Sequence, residues 1–371
     1  MRSLEYICII LLALTSCREA YLPEIRESDN KVMIVEGYIQ ANGEETRIRL
    51  TRSRPVASSD PFQIIPNASV VVESNAQESY PLSTWGDGTY SGNFILDASK
   101  QYRLKIVTDG KEYASSFEKV LVTPAIDSLT WAEEEQGIEL SVNTHSTDPE
   151  LQYFLWDYTE TWEFHSKHES FYKYDPDLGQ VNPRPEEERK NMYICYKHQL
   201  SSSLLLGTSS NLEDNIIYHS PLLKIPRHDQ RLSVKYSLLV HQLALTRPAY
   251  DFYRAMKTNT ETTGSIFGPQ PTEISGNIKC ISDPSELVIG YVSVTSPAQQ
   301  RIFIHNNDIT NWNYQVPCEE VYVVNNPDTF RLYYPAYTPY QMKGFNEGFY
   351  SADRKCIDCT LSGTNIRPAF W

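Results

Sequence analysis

The chain has 371 residues, more than a single hydrophobic core usually organises, so two domains are expected rather than one. Its 25 tyrosines and 22 prolines favour strands and turns over helices and indicate a β-dominated fold. The formal net charge of -14 argues against nucleic-acid binding and against adsorption to an anionic lipid surface, because both need clustered lysine and arginine.

The first residues have the features of an export signal that ends in a cysteine. Arg2 supplies the positive start, and the apolar run that follows is too short to span a bilayer. The stretch LTSC at 14–17 resembles the bacterial lipobox, which predicts that Cys17 becomes the acylated first residue of the mature chain. The alternative is an ordinary signal peptide or a buried strand with a chance cysteine. We expect a signal peptide at 1–16 and a polar, lipidated tether at 17–30.

Residues 31–123 contain a run of short strands separated by turn signals. Segments such as KVMIVEGYI, ASVVVES and QYRLKIVT are typical strands, and GDG and DG at 86–88 and 109–110 mark turns. About seven strands in this length describe a small immunoglobulin-like β-sandwich. Tyr102 is a candidate tyrosine-corner residue, although a tyrosine before a strand is more often only part of the core edge. Pro124 marks the expected end of this domain.

Residues 124–371 are expected to form a larger β-rich domain with one short helix and long loops. The segment RLSVKYSLLVHQL places apolar side chains at every second position, so one face of this strand must be buried. The segment TRPAYDFYRAMKTNTE, beginning at Thr246, predicts the helix, because it combines an N-cap threonine, a proline in the first turn and apolar residues at helical spacing. Residues 173–190 are charged and contain prolines, which indicates a loop.

The cysteines point to a disulfide-bonded C-terminal region. Loss of the signal and acylation of Cys17 leave five cysteines in an expected oxidising compartment, so at least one stays unpaired within the chain. The disulfide candidates lie in the last third of the sequence and are Cys280, Cys318, Cys356 and Cys359. Cys195 is assigned as the unpaired cysteine because it is isolated from that group. Their connectivity stays open, and no metal is expected, because a four-thiolate zinc site usually needs two close cysteine pairs.

No motif in the sequence identifies a catalytic site. The segment HSKHE at 165–169 is neither HExxH nor its inverse and is expected to be a solvated loop. The segment DPDLG at 175–179 lacks the remaining ligands of a calcium loop and is expected to be a turn. A nucleophile elbow, a phosphate-binding loop and a dinucleotide fingerprint are all missing from the sequence. We therefore expect a protein that is not an enzyme and has no cofactor.

The aromatic stretch RLYYPAYTPYQMKGF at 331–345 is a candidate contact surface. Its tyrosines alternate with prolines and cannot all be buried in one regular strand, and tyrosine combines a large contact area with a polar tip. The residues expected to form this surface are Tyr333, Tyr334, Tyr337 and Tyr340. The alternative, in which these rings pack over the end of the second sheet, stays open.

The order of several motifs resembles that of a known family. The motifs are MIVEGYI, YFLWDYTETWE, IFGPQPTEISGNIKC, ELVIGYVSV, QRIFI and the terminal CIDCTLSGTNIRPAFW. Together they resemble the Bacteroidota lipoprotein family described as domain of unknown function 4249, over nearly all of the mature chain. The resemblance implies an outer-membrane lipoprotein encoded beside a TonB-dependent receptor. It implies no catalytic residue.

The residues and the resemblance together predict a non-catalytic lipoprotein of the cell envelope. It would be anchored in outer-membrane lipid through Cys17, with surface display left open, and would bind a nutrient or assist a TonB-dependent β-barrel receptor. Nucleic acid is not an expected partner. The alternatives are a surface hydrolase acting on peptides or glycans, and an adhesin or scaffold. We expect the larger domain to be the functional body and the small one to lift it from the membrane.

Overall fold

The computed structural model describes residues 32–371 except 55–61, 263–273, 275 and 345–346. The predicted signal peptide and the predicted tether with Cys17 lie outside the described residues. Of the helices in the described ranges, none combines the length and the apolar character needed to cross a membrane. Strands dominate the described chain, which confirms the predicted mainly β fold class.

The described residues before Pro124 contain ten strands. In chain order they are β1 (Met33–Gln40), β2 (Asn42–Ser53), β3 (Phe62–Ile64), β4 (Ser69–Ser74), β5 (Ser79–Pro81), β6 (Ser83–Thr84), β7 (Thr89–Ile95), β8 (Gln101–Thr108), β9 (Lys111–Ser115) and β10 (Glu118–Val122). Tyr102 on β8 is buried, and its hydroxyl donates to the Asp97 carbonyl at 3.2 Å and accepts from the Asp97 amide at 2.8 Å. This is the backbone contact of a tyrosine corner, as the sequence suggested.

The described residues after Pro124 contain the other strands and the helices. The strands are β11 (Ile126–Glu134), β12 (Gly137–His145), β13 (Tyr153–His165), β14 (Tyr172–Asp175), β15 (Gln180–Pro183), β16 (Ile194–Leu200), β17 (Leu205–Thr208), β18 (Ile216–Pro226), β19 (Lys235–Leu245), β20 (Ile278–Cys280), β21 (Val288–Ile289), β22 (Val294–Ser296), β23 (Ala298–His305), β24 (Glu320–Val324), β25 (Tyr337–Lys343) and β26 (Gly348–Asp353). The helices are α1 (Glu186–Tyr193), α2 (Arg247–Thr262), α3 (Pro327–Tyr333) and α4 (Arg354–Ile357). The predicted helix is α2, and the three other helices are shorter.

The segment 173–190, predicted as a loop, instead forms β14, β15 and the start of α1. Its charged side chains pair with one another, since Glu188 binds both Lys173, at 3.0 Å, and Arg184. Ion pairs between the hairpin and α1 therefore contribute to holding this segment, although the sequence showed no apolar periodicity there.

Strands β1–β10 and β20–β22 form one hydrogen-bonded network, which we call the first lobe. Within it β22 runs parallel to both β1 and β10, and β20 runs antiparallel to β9. Ile278, Val288 and Val294 of the returning segment are buried in the core of this lobe. The prediction had placed β20–β22 in the larger domain. The local sequence pattern could not show that these short strands join the first lobe, because their partner strands are distant in sequence.

Two facing sheets form a second lobe around its own core. One sheet has the order β11–β12–β18, and the other has the order β16–β13–β19–β23 with β17 also paired to β13. The long β13–β19 register runs from the pair Tyr153 and Leu245 to the pair Glu163 and Lys235. Trp156 is fully enclosed in the core between the sheets. The alternate residues of β19 from Tyr236 are buried there, which confirms the predicted strand from Lys235 onward. The start of the predicted segment instead belongs to a short 3₁₀ helix, Gln230–Leu232.

A buried hydrogen-bond network joins the two lobes. The Gln242 side chain on β19 is fully buried, accepts from Trp156 Nε1 at 2.8 Å and donates to the Pro124 carbonyl at 2.9 Å. The Thr123 hydroxyl accepts from the Ala244 amide of β19 at 3.0 Å and lies 3.0 Å from the Thr295 hydroxyl of β22, which connects the second lobe to the first. The expected domain boundary at Pro124 is therefore fastened to both lobes rather than being a free linker.

The remaining strands and α3 form a smaller C-terminal module. Its sheet has the order β24–β26–β25, and the β14–β15 hairpin and α3 pack against one face. The core of this module consists of Tyr174, Val323, Phe330 and Phe349. After α4 the chain pairs with the second lobe at Tyr196 and Thr364, and Nε1 of the terminal Trp371 donates to Glu163 at 2.9 Å.

Candidate functional site

The cysteines other than Cys8 and Cys17 form two disulfides and leave one thiol unpaired in the described chain. Cys195 is bonded to Cys359, Cys318 is bonded to Cys356, and Cys280 is unpaired and buried. The assignment of Cys195 as the unpaired cysteine was therefore wrong, as was the choice of Cys280 as a disulfide candidate. The other three candidates are paired.

Sheet geometry explains this pairing. Cys195 lies opposite Phe164 in the β16–β13 register and faces the core of the second lobe, where Cys359 also lies. Cys280 ends β20, opposite Tyr113 in the core of the first lobe. Because 164 residues separate Cys195 from its partner, spacing along the sequence could not show that the two meet.

The four tyrosines of the predicted contact surface lie in different environments. Tyr340 is buried and donates its hydroxyl hydrogen bond to Glu320 at 2.9 Å. Tyr333 and Tyr337 are half-buried, with ring centroids 6.1 Å apart, and Tyr334 is exposed. Tyr340 therefore does not belong to a contact surface. The chain changes from α3 to β25 within this stretch, so successive rings point in different directions.

His168 is held by the C-terminal module rather than being solvated. Its ring stacks on Tyr340 with centroids 4.3 Å apart, and its Nε2 lies 3.0 Å from Glu320 Oε1. The hydrogen bond from Tyr340 lowers the pKa of Glu320, and His168 contributes in the same direction. The prediction of a solvated loop was wrong for His165, which ends β13 and is half-buried, and for His168, whose ring attaches the segment after β13 to β24 and β25.

The DPDLG segment forms the turn between β14 and β15, as predicted. The Asp175 carboxylate accepts hydrogen bonds from the amides of Asp177 and Leu178 at 3.0 and 3.1 Å, and Gly179 has a φ of 66°. In such a turn the aspartate carboxylate accepts hydrogen bonds from backbone amides and does not serve as an ion ligand. Across the described ranges, no three His, Cys, Asp or Glu side chains are grouped so that they could hold a metal ion.

An open cleft of about 640 Å³ lies where the two lobes meet. One wall is β10 with the preceding Phe117, and the other is formed by the loop before β13 and the start of α2. The charged residues that line it are Glu118, Lys119, Asp148, Glu150 and Arg247. Apolar side chains line it as well, among them Val122, which is 61% exposed. The cleft thus offers charge of both signs beside apolar surface.

Glu118 is the most constrained charged residue of this cleft. Its Oε1 accepts hydrogen bonds from the Ser116 hydroxyl at 2.8 Å, the Asn277 side-chain amide at 3.1 Å and the Tyr291 hydroxyl at 3.2 Å. Burial raises the pKa of Tyr291 to about 12, and the negative charge of Glu118 adds to the effect. Tyr291 therefore stays protonated at neutral pH and keeps the carboxylate in place.

The start of α2 brings positive charge to the opposite wall. The Thr246 hydroxyl accepts from the Ala249 amide at 3.4 Å, which agrees with the predicted N-cap. Arg247 follows with 76% of its side chain exposed, and the positive end of the helix dipole lies at the same place. Both walls of the cleft therefore carry positive and negative groups.

Sequence reasoning missed this cleft, because its lining residues belong to no single motif and come from five separated parts of the chain. One feature of the sequence, the predicted helix start next to Arg247, could have indicated the position of the cleft. A predicted helix that starts directly after a long half-buried strand places its first residues at the end of the sheet, where clefts form between domains.

Comparison with known proteins identifies a family. A family described as "Domain of unknown function (DUF4249)" matches residues 18–301. The search of curated proteins finds no match. A solved structure from Corynebacterium diphtheriae, described as a "Putative membrane anchored protein", aligns with 11% identity and a TM-score of 0.17, over 58% of this chain and 55% of that chain. The chain thus spans about half the length of that protein, and so low a TM-score supports no argument about fold or function.

The family match covers the motifs from MIVEGYI to ELVIGYVSV, whereas QRIFI is covered only in part and the terminal CIDCTLSGTNIRPAFW lies beyond the matched range. The matched range begins one residue after Cys17 and ends within β23, so it includes both lobes and more than half of the 371 residues. The chain belongs to the DUF4249 family.

Proposed function

We propose that the protein is a lipid-anchored, non-catalytic binding protein of the bacterial outer membrane. In this proposal Cys17 carries the lipid, and the folded chain faces the oxidising side of the envelope. The cleft between the lobes captures a nutrient, and the protein passes it to a TonB-dependent receptor that it accompanies.

Two features support the proposed location. The LTSC stretch at 14–17 has the small residues and the cysteine that a lipoprotein signal needs. The Cys195–Cys359 and Cys318–Cys356 bonds are of the kind that persists in oxidising compartments and is rare in the cytosol. Both features support export of the chain.

The proposed binding function rests on the cleft between the lobes. Small-molecule sites are concave, mostly preformed, typically about 300–1,000 Å³ in volume and frequent at domain junctions. The cleft has about 640 Å³ and lies between two lobes that share the buried Gln242 network. Its walls are therefore in place before a ligand arrives, which lowers the entropic cost of binding.

The lining favours a ligand that carries both charges and an apolar part, such as a short peptide. An ammonium group would be balanced by Glu118, Asp148 and Glu150. A carboxylate would be bound by Arg247 and by the positive end of the α2 dipole. The apolar surface around Val122 would contact the side chains.

Calorimetric titration of the full-length lipoprotein in detergent with short peptides tests this assignment. We expect Arg247→Ala to weaken binding of peptides with a free carboxylate by about tenfold, the effect of one lost hydrogen bond to a charged group. The matched control is Arg254→Ala, because Arg254 is on the same helix, is 64% exposed and shares the partner Asp251, but does not line the cleft. Equal losses in both variants, or no peptide binding by the wild type, would contradict the assignment.

Purification from native membranes in a mild detergent tests the accessory role. A TonB-dependent β-barrel is expected to accompany the wild-type chain, and to be lost or depleted with Cys17→Ala, which cannot be acylated. Repeated recovery of the lipoprotein alone would contradict the role. Turnover of peptides or glycans by the purified chain would contradict the non-catalytic assignment.

A further inference from the structure

Strand β24 forms an open edge of the C-terminal module. It pairs antiparallel with β26 over the five residues from Glu320 to Val324, and no other described strand pairs with it. An edge strand presents unpaired amide and carbonyl groups and is therefore a template for another extended chain. We call residues 320–324 the β24 edge.

Backbone alternation shows which groups of this edge are available. The Asn325 amide donates to the Glu347 carbonyl on the β26 side, at 3.4 Å. Alternate residues of an antiparallel strand direct both backbone groups to the same side, so Val321 and Val323 also face β26. Tyr322 therefore directs its amide and its carbonyl away from the sheet.

The side chains next to these groups are apolar and accessible. Tyr322 is 40% exposed and Val324 is 53% exposed, on the face opposite the module core. The Tyr322 ring lies 6.1 Å from that of Tyr350, and Lys343 Nζ lies 4.9 Å from the Tyr322 centroid. These neighbours hold the Tyr322 ring in one orientation. Binding of a partner therefore costs little additional side-chain entropy at this residue.

The β24 edge has some but not all of the features that protect an edge strand: it is five residues long and contains one charged residue, Glu320, which binds Tyr340 at 2.9 Å. Proteins block such edges with lysine, proline, bulges or a covering element, and the sequence EVYVV has neither lysine nor proline. Its ladder with β26 continues without a bulge. An exposed edge of this composition is a site for pairing with another chain.

Charge indicates what kind of chain pairs there. Exposed acidic residues flank the edge, since Glu319 precedes it and Glu347 faces Asn325. Asp328, which follows it on α3, is paired with Arg331 at 3.9 Å. A second copy of the chain would bring the same acidic flanks and a net charge of -14, which opposes self-association. A strand with basic ends meets no such repulsion.

We propose that the β24 edge binds an extended segment of a partner protein, which adds as a fourth strand to the module sheet. The segment has alternating apolar side chains beside Tyr322 and Val324 and a basic residue at one or both ends. The inference rests on the proposed accessory function for the identity of the partner, whereas the strand addition itself depends only on the edge.

The first test measures binding of a defined peptide to the full-length chain by fluorescence anisotropy. The probe is acetyl-Lys-Val-Thr-Val-Thr-Val-Lys-amide, carrying a fluorophore on one lysine. Tyr322→Pro removes the outward amide and blocks strand addition without removing a bond to β26, because proline is tolerated where an edge amide faces solvent. We expect it to weaken binding at least about tenfold, because the hydrogen bond from the Tyr322 amide is lost and the proline ring obstructs the approach of an added strand.

Matched controls separate the edge from the aromatic ring. Tyr322→Thr keeps the amide and strand propensity and should retain most of the binding. A probe N-methylated at alternate residues should fail to bind the wild type, and a probe with glutamate in place of both lysines should bind more weakly. Equal binding by the wild type and Tyr322→Pro, with unchanged thermal unfolding, would overturn the proposal, and so would concentration-dependent dimers of the wild type that Tyr322→Pro abolishes.

The receptor experiment distinguishes this inference from the proposed function. If the wild type recovers a TonB-dependent β-barrel and Tyr322→Pro does not, both are supported. If both variants recover it equally and neither binds the probe, the strand addition is wrong and the accessory function stands. If the probe binds but no receptor accompanies the wild type, the accessory function fails and the edge has another partner.

Discussion

Glu160 lies in the core of the second lobe with 2% of its surface exposed. Its Oε1 accepts hydrogen bonds from Arg231 Nη1 at 3.0 Å and from the Tyr236 hydroxyl at 2.8 Å. Burial raises the pKa of Tyr236, and the charge of Glu160 adds to the effect, so this hydroxyl remains a donor. A carboxylate removed from water is tolerated only when it is paired in this way.

We expect Glu160→Gln to lower the free energy of unfolding by about 2–3 kcal/mol, because Arg231 then loses its buried anionic partner and keeps only Asp229. Urea denaturation measures the change. The matched control is Glu139→Gln, whose partner Lys224 is largely exposed, with an expected loss below about 1 kcal/mol. Equal losses for the two variants would show that the buried pair contributes no more than a surface pair.

Glu163 binds the C-terminal tail, and its contribution to the stability of the fold depends on pH. The hydrogen bond with His165, at 3.1 Å, lowers the pKa of Glu163, and the bond from Trp371 acts in the same direction against the effect of burial. A carboxylate whose pKa is lower in the folded state stabilises the fold above its unfolded pKa, about 4.3. That stability is lost as the pH falls through the folded value.

We expect Glu163→Gln to reduce the loss of stability on acidification below about pH 4, because the amide has no proton to take up. The variant should be less stable than the wild type at pH 7, and the difference should shrink at low pH. Denaturation at a series of pH values gives the two curves. The control is Glu213→Gln in an exposed loop, and parallel curves for the wild type and Glu163→Gln would contradict the expectation.

At the scale of elements, the two disulfides fasten the end of the chain. Cys195–Cys359 attaches the helical turn Cys359–Leu361 to β16, and Cys318–Cys356 attaches α4 to the segment before β24. Their partners are 164 and 38 residues apart in the sequence. In the chain-entropy description, the longer loop restricts the unfolded chain more.

We expect loss of either disulfide by double alanine substitution to cost about 2–4 kcal/mol, with Cys195–Cys359 costing about 1 kcal/mol more than Cys318–Cys356. Urea denaturation of each variant measures the difference. Cys280→Ala serves as the control, because its thiol is unpaired and its removal should leave sensitivity to reductant unchanged. The reverse order of costs would show that native contacts outweigh loop entropy here.

The elements that could be predicted from the sequence are those with a local signature. The alternation in β19 and the capped, amphipathic start of α2 need only neighbouring residues to be recognised. The β14–β15 hairpin and α1 were missed, because ion pairs such as Lys173–Glu188 form only after the chain has turned back. Of the site, the residues at the start of α2, Thr246, Arg247 and Pro248, belonged to a recognised feature.

At the scale of the whole molecule, neither lobe is a continuous stretch of sequence. The first lobe needs β20–β22, which supply Ile278, Val288 and Val294 to its core. Of these strands, β22 lies between β10 and β1 in the strand order. The buried Gln242 network then ties both lobes to Pro124. The lobes should therefore depend on each other for stability.

We expect residues 18–124 expressed alone not to form a cooperative fold, because part of the core and one neighbour of β10 are missing. Fusing residues 276–297 to this fragment through a long Gly-Ser linker should restore cooperative thermal unfolding. Circular dichroism melting of the two proteins is the measurement. A sharp transition in the shorter fragment would show that the first lobe folds independently.

The sequence by itself determined the mainly β class, the strand β19, the helix α2 and the family, since each rests on patterns that neighbouring residues or motif order contain. Only the tertiary structure decided which cysteines are bonded, which sheet β20–β22 join and where the cleft lies. The physical reason is that these features depend on which distant segments bury their apolar faces together, and many pairings satisfy the same local pattern.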